Sequence, residues 1–168
     1  MEHGDMPKKR GKRLYHPAAV VLFLLYIALL SYLLFFSETY GRTMSERDYR
    51  YNLELFKEIK RFWTNSDVLG WKTVLLNVVG NILAFMPFGF LLPMVSKIGK
   101  NFFGTLALSL CFSLVAEILQ LVTRVGAFDV DDLFLNTIGG VIGFLGYCII
   151  WKPFLKYWRK KHHKKGSK

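Results

Sequence analysis

The chain is poor in the groups that most often announce a chemistry. It has two cysteines, four histidines and 12 acidic residues in 168. Cys111 falls near the middle of one apolar run and Cys148 near the end of another, at depths that differ by about 10 Å for a helical rise of 1.5 Å per residue, which excludes a disulfide between them. No inward His or Cys supports a zinc site. No Ser-His-Asp or Cys-His arrangement falls within the apolar runs, so a conventional nucleophilic triad is excluded as well. The glycines at 139, 140, 143 and 146 lie inside an apolar run with no strand before them, so they do not form a nucleotide-binding loop. Acidic residues are outnumbered by 23 basic ones, for a net charge of +11. Most of the basic residues are gathered in the two tails, where contact with anionic lipid headgroups explains them without nucleic acid.

What the chain has in quantity is apolar residues, 52% of the total, with 16% aromatic. They are gathered into long runs, the pattern of an all-α polytopic membrane protein. The run 17–36 is about 20 residues, enough to cross roughly 30 Å of hydrocarbon as a helix. It is too long for the apolar core of a secretory signal, and Phe35-Phe36-Ser37-Glu38 offers no small-residue cleavage site. Further spans are expected at about 73–96, 102–123 and 131–150, each helical because lipid cannot satisfy an open backbone. The domain plan is a basic tail 1–16, one membrane domain 17–151 with a loop 37–72, and a basic tail 152–168.

The basic residues also orient this plan. Fifteen Lys and Arg fall in the two tails and the 97–101 loop, against seven in loop 37–72 plus Arg124. The positive-inside bias therefore predicts a multi-pass plasma-membrane protein with both termini cytoplasmic and segments 37–72 and 124–130 outside. The His162-His163 pair sits in the lysine run of the solvated tail. Within the outer loop, Leu53, Phe56, Ile59 and Trp63 recur at helical spacing, with Lys57, Glu58, Lys60 and Arg61 opposite. This pattern predicts an amphipathic helix lying on the outer leaflet or over the tops of the spans. Trp63 and Trp71 suit the interfacial aromatic belt.

Polar residues inside the spans point to a site, because charge in hydrocarbon is costly and is retained where it has work to do. Asn77 and Asn81, four apart, share one face of the second span. Pro87, Gly89 and Pro93 follow and are expected to kink its inner half. Glu117, Gln120 and Arg124 share a face of the third span. Asp129, Asp131 and Asp132 lead into the fourth, and Asn136 points the same way as Asp132. Glu117 lies about 9 Å below the outer end of its helix, Asn81 about 12 Å and Asn136 about 8 Å below theirs, so the three share a layer. Together these nine residues form the expected ligand-binding set, converging on a cavity in the outer half of the bilayer. Asp129 or Asp131 also fits the role of helix cap, with Asp132 in the favourable first turn. Glu117 and Asp132 are the candidates for acid–base chemistry, although the residues name no reaction and leave enzyme or binding protein open. Glu117, Asp129 and Asp132 could supply oxygen ligands to Mg²⁺ or Ca²⁺, but the pattern does not require a cofactor. Gly139 and Gly143 are spaced for close helix approach and permit an oligomer.

The ordered set Asn77, Asn81, Pro87, Gly89, Glu117, Gln120, Arg124, Asp129, Asp131, Asp132, Asn136, Thr137 and Gly139 resembles the core pattern of the VanZ-like family of bacterial membrane proteins, over about residues 20–150. In the outer loop, family members often carry Asn-Leu-x-Pro-Phe where this chain has Asn52-Leu53-Glu54-Leu55-Phe56. The family's namesake is linked to teicoplanin resistance. The resemblance therefore implies a cell-envelope role in a Gram-positive bacterium, affecting susceptibility to teicoplanin-type antibiotics. The expected partners are membrane lipids and an amphiphilic envelope molecule or lipoglycopeptide. The alternatives are a small lipid-modifying enzyme, or a transporter or assembly component without its own site.

Overall fold

A computed structural model describes residues 10–36, 49–57, 60 and 71–165. The chain runs α1 (Arg10–Phe36), β1 (Tyr51–Asn52), α2 (Trp71–Val95), a 3-10 turn (Ile98–Lys100), α3 (Phe102–Val122), β2 (Phe128–Asp129) and α4 (Val130–Gly146). A single π-helical turn, Tyr147–Trp151, then joins α4 to α5 (Lys152–Lys165). Four helical stretches are long and apolar enough to cross a membrane: His16–Phe36, Asn77–Val95, Phe102–Val122 and Val130–Trp158.

The spans match the hydropathy runs, but the first and last helices extend further. Helix α1 starts at Arg10 rather than 17 and contains Pro17. The fourth span passes through the π turn into the lysine-rich segment and stays helical to Lys165. Lys and Arg are good helix formers, so a helix leaving the bilayer need not stop at the hydrocarbon edge. Pro87 and Pro93 both lie within α2, and Phe85, Phe88, Leu91, Leu92 and Pro93 there are buried. The helix runs through both, as a span can where neighbouring helices compensate a proline.

Glycine sets the closest packing. A Cβ on Gly139 would stand 2.3 Å from the carbonyl oxygen of Ile82, one on Gly143 would stand 1.9 Å from that of Met86, and one on Gly89 would stand 1.7 Å from that of Gly140. Helices α2 and α4 thus meet backbone to backbone, the arrangement the 139/143 spacing predicts. Helix α3 joins them through Ser109, whose hydroxyl abuts Gly140, and through an aromatic cluster in which Phe112 stacks on Phe88 at 4.7 Å. Phe23 of α1 meets Phe88 at 5.7 Å, and the Tyr26 hydroxyl donates to the Ala84 carbonyl at 2.7 Å. At the turn between α2 and α3, Asn101 caps α3 by accepting from Gly104 N–H at 2.6 Å, and Thr105 donates to the Gly99 carbonyl at 2.9 Å.

At the opposite end the long loop meets the α3–α4 turn. Strands β1 and β2 pair in parallel, Tyr51 beside Phe128 and Asn52 beside Asp129. Of the stripe expected to be an amphipathic helix, Leu53 to Phe56 form a strand exit and a turn, and Phe56 has φ of +63°. Lys57 and Lys60 are helical; Ile59 and Trp63 lie outside the described residues. The two cysteines are free, Cys111 exposed on the bundle surface and Cys148 half-buried.

Candidate functional site

The α3–α4 turn is built by residues that end one helix and start the next. Arg124 has φ of +57°, the left-handed conformation that terminates helices. Its N–H donates to the Leu121 carbonyl at 3.1 Å, and Gly126 N–H donates to Gln120 at 3.3 Å. Asp129 caps α4, accepting from Asp131 N–H at 2.8 Å. Asp131 and Asp132 occupy the first turn, where the partial positive charge of the helix start favours carboxylates.

Glu117 is 3% exposed, and its Oε2 accepts the backbone N–H of Asp129 at 3.0 Å. The C-terminal part of α3 is thereby tied to the cap of α4. Asp129 Oδ1 also accepts from the Asn52 side-chain amide at 3.2 Å, and Asn52 Oδ1 in turn accepts Glu54 N–H at 3.2 Å. Asp131, 2% exposed, accepts the backbone N–H of Phe56. Asp132 accepts from Asn81 of α2. Four carboxylates and two amides therefore join α2, α3, α4 and the long loop. A charge-assisted hydrogen bond is worth more than a neutral one, and a buried one broken on one side is costly.

The structure divides the sequence-predicted residues. Glu117, Asp129 and Asp131 form one linked cluster, with Asp132 beside them on α4 and Asn81 joined to it. Asn136, one turn further along α4, is buried and donates to Ser113 at 3.0 Å. Gln120 points to α1 instead, donating to the Leu34 carbonyl at 3.2 Å. Arg124 is exposed and lies over the Tyr49 ring at 4.6 Å, a cation–π contact at the rim. Asn77 is half-buried on α2. Among the described residues, no three His, Cys, Asp or Glu side chains are grouped so as to hold a metal ion.

Sequence reasoning passed over the loop residues Tyr49, Asn52 and Phe56 as contributors, and the hydroxyls Thr105, Ser109 and Ser113. These hydroxyls precede Glu117 at intervals of four, and all three are fully buried. That spacing was the available signal, since residues four apart share a helix face. Ser109 Oγ and Asn136 Oδ1 are buried without a hydrogen-bond partner. The stripe lets α3 lie close to the glycine face of α4.

A family description, VanZ/LLP1, matches residues 23–151, which takes in the glycine seam and the whole acidic cluster. Protein VanZ of Enterococcus faecium is 37% identical over 70 residues, a stretch that covers 42% of this chain and 43% of that protein. The chain thus spans less than half the length of this relative. No solved structure matches it. The family match covers most of the chain, from the second half of α1 to the end of the π turn, and on that ground the chain belongs to the VanZ/LLP1 family.

Proposed function

We propose that the acidic end of the bundle faces outward from the plasma membrane, with both termini cytoplasmic, and binds an amphiphilic cell-envelope molecule. Through that binding the protein changes susceptibility to teicoplanin-type glycopeptides. The observation that carries this reading is the buried Glu117 carboxylate, held on the Asp129 N–H beside Asp131 and Asp132 in an otherwise apolar bundle. A buried carboxylate within a span is a functional marker by default. Arg124, exposed at the rim, is placed to meet an anionic headgroup, while the carboxylates meet a cationic one. Glu117 and Asp132 are the groups for any proton transfer to the bound molecule.

Two substitutions separate charge from architecture. Glu117→Gln keeps an oxygen that can accept the Asp129 N–H, and Asp132→Asn keeps one for Asn81, so each removes charge with little demand on the fold. In a susceptible Gram-positive host, the wild type should lower teicoplanin susceptibility, and both variants should lose that effect at equal membrane abundance. An unchanged host with wild type, or equal protection by both variants, overturns the reading. Orientation is checked in a background lacking Cys111 and Cys148. Leu53→Cys should label from outside intact cells and Ile98→Cys should not; both positions are well exposed.

A further inference from the structure

At the other end of the bundle an open groove of about 650 Å³ runs between α1, α2 and α4, walled by residues such as Leu25, Tyr26, Pro87, Phe90, Gly146 and Ile150. It exists because α1 leans on α2, through Tyr26 and Phe23, while α4 presents glycines where a wall of side chains would otherwise close the gap. The volume lies within the range of small-ligand pockets, about 300–1,000 Å³. Its lining is apolar, and the single hydroxyl in it is already spent on the Ala84 carbonyl. At this depth in a bilayer such a surface takes hydrocarbon.

The groove leads toward the basic end. Ile150 is followed by Lys152, and Lys97, Lys100, Lys152 and Lys156 are all exposed there. Arg10, Lys12 and Arg13 open α1 at the same end. Among the described residues this end carries no Asp or Glu. A free anion would satisfy these charges and leave the groove empty, and a neutral lipid would fill the groove and leave the charges unmatched. We propose that the groove holds an acyl chain of an anionic phospholipid from the leaflet at the basic end, with its phosphate among these lysines. This site is separate from the acidic end and does not depend on which way the protein faces the membrane.

Trp151 lies 6.4 Å from the Phe90 ring and reports on the groove once Trp63, Trp71 and Trp158 are replaced by Phe in the full-length chain. In vesicles, phosphatidylglycerol brominated on its acyl chains should quench Trp151 at about tenfold lower mole fraction than brominated phosphatidylcholine, a modest expectation for several lysines near a headgroup. Lys152→Gln with Lys156→Gln should bring the two lipids together. Gly146→Leu, where an added Cβ makes only ordinary contact with Phe90, and Ile142→Phe should each reduce quenching by both lipids. Equal quenching in the parent protein, unchanged selectivity after loss of the two lysines, or undiminished quenching in both groove-filling variants overturns the proposal.

Discussion

The two ends of this bundle are held together by different physics. Toward the basic end, α2 and α4 meet at Gly139, Gly140 and Gly143, where backbone lies against backbone and Ser109 of α3 presses on Gly140. At the acidic end the contacts become hydrogen bonds that carboxylates accept from backbone N–H groups and amides. Packing of the first kind tolerates no added volume. The second kind is sensitive to the loss of a single acceptor, so the same polypeptide answers to added volume in one half and to lost hydrogen bonds in the other.

That contrast is most easily broken at the seam. Gly143→Leu places a Cβ against the Met86 carbonyl, where backbone rather than a flexible side chain must yield, and should cost about 3 kcal/mol or more. A thermal melt in detergent should show the loss, with little folded protein recovered. At the acidic end, Asp131→Ala removes the acceptor of the Phe56 N–H and should cost about 1–3 kcal/mol. Asp131→Asn, which retains an oxygen there, should cost less; equal losses for the two would show that charge rather than the hydrogen bond matters. Asp129→Ala removes the α4 cap and should cost about 1 kcal/mol, measured by the same melt. Smallest of all, Gly80→Ala adds a methyl where nothing lies within 4 Å and should stabilise by no more than about 1 kcal/mol through helix propensity. A large loss at Gly80 would show that tight packing extends into the acidic half.

The spans and the glycine seam were legible in the sequence because each leaves a periodic trace: runs of about 20 apolar residues, and glycines four apart. Glu117 and Asn136 were legible as polar groups stranded in apolar runs, and both are buried. Their partners were not, because spacing names a helix face and not the atom opposite it. Gln120 shares a face with Glu117 in an ideal helix yet reaches Leu34 of α1, since two helices flank that face. Arg124 was placed on the same face, but the left-handed turn at its own position ends the helix and turns the side chain out to Tyr49. The β1–β2 pairing had no trace to read, because two-residue strands are too short to show alternation. The start of the stripe at Leu53 was not legible for a related reason: its apolar spacing also fits the turn at Phe56, which packs edge-on against Phe134 at 5.6 Å and precedes the helical Lys57.

The parallel pairing of β1 with β2 has a consequence for the order of assembly. Asn52 stands 77 residues ahead of Asp129, so during synthesis the loop emerges before α2 and α3 are made and before the strand and cap that receive it exist. Three helices must be threaded through the bilayer before Tyr51 can find Phe128. The loop therefore closes only after the third span is in place, which makes its docking a marker of late insertion.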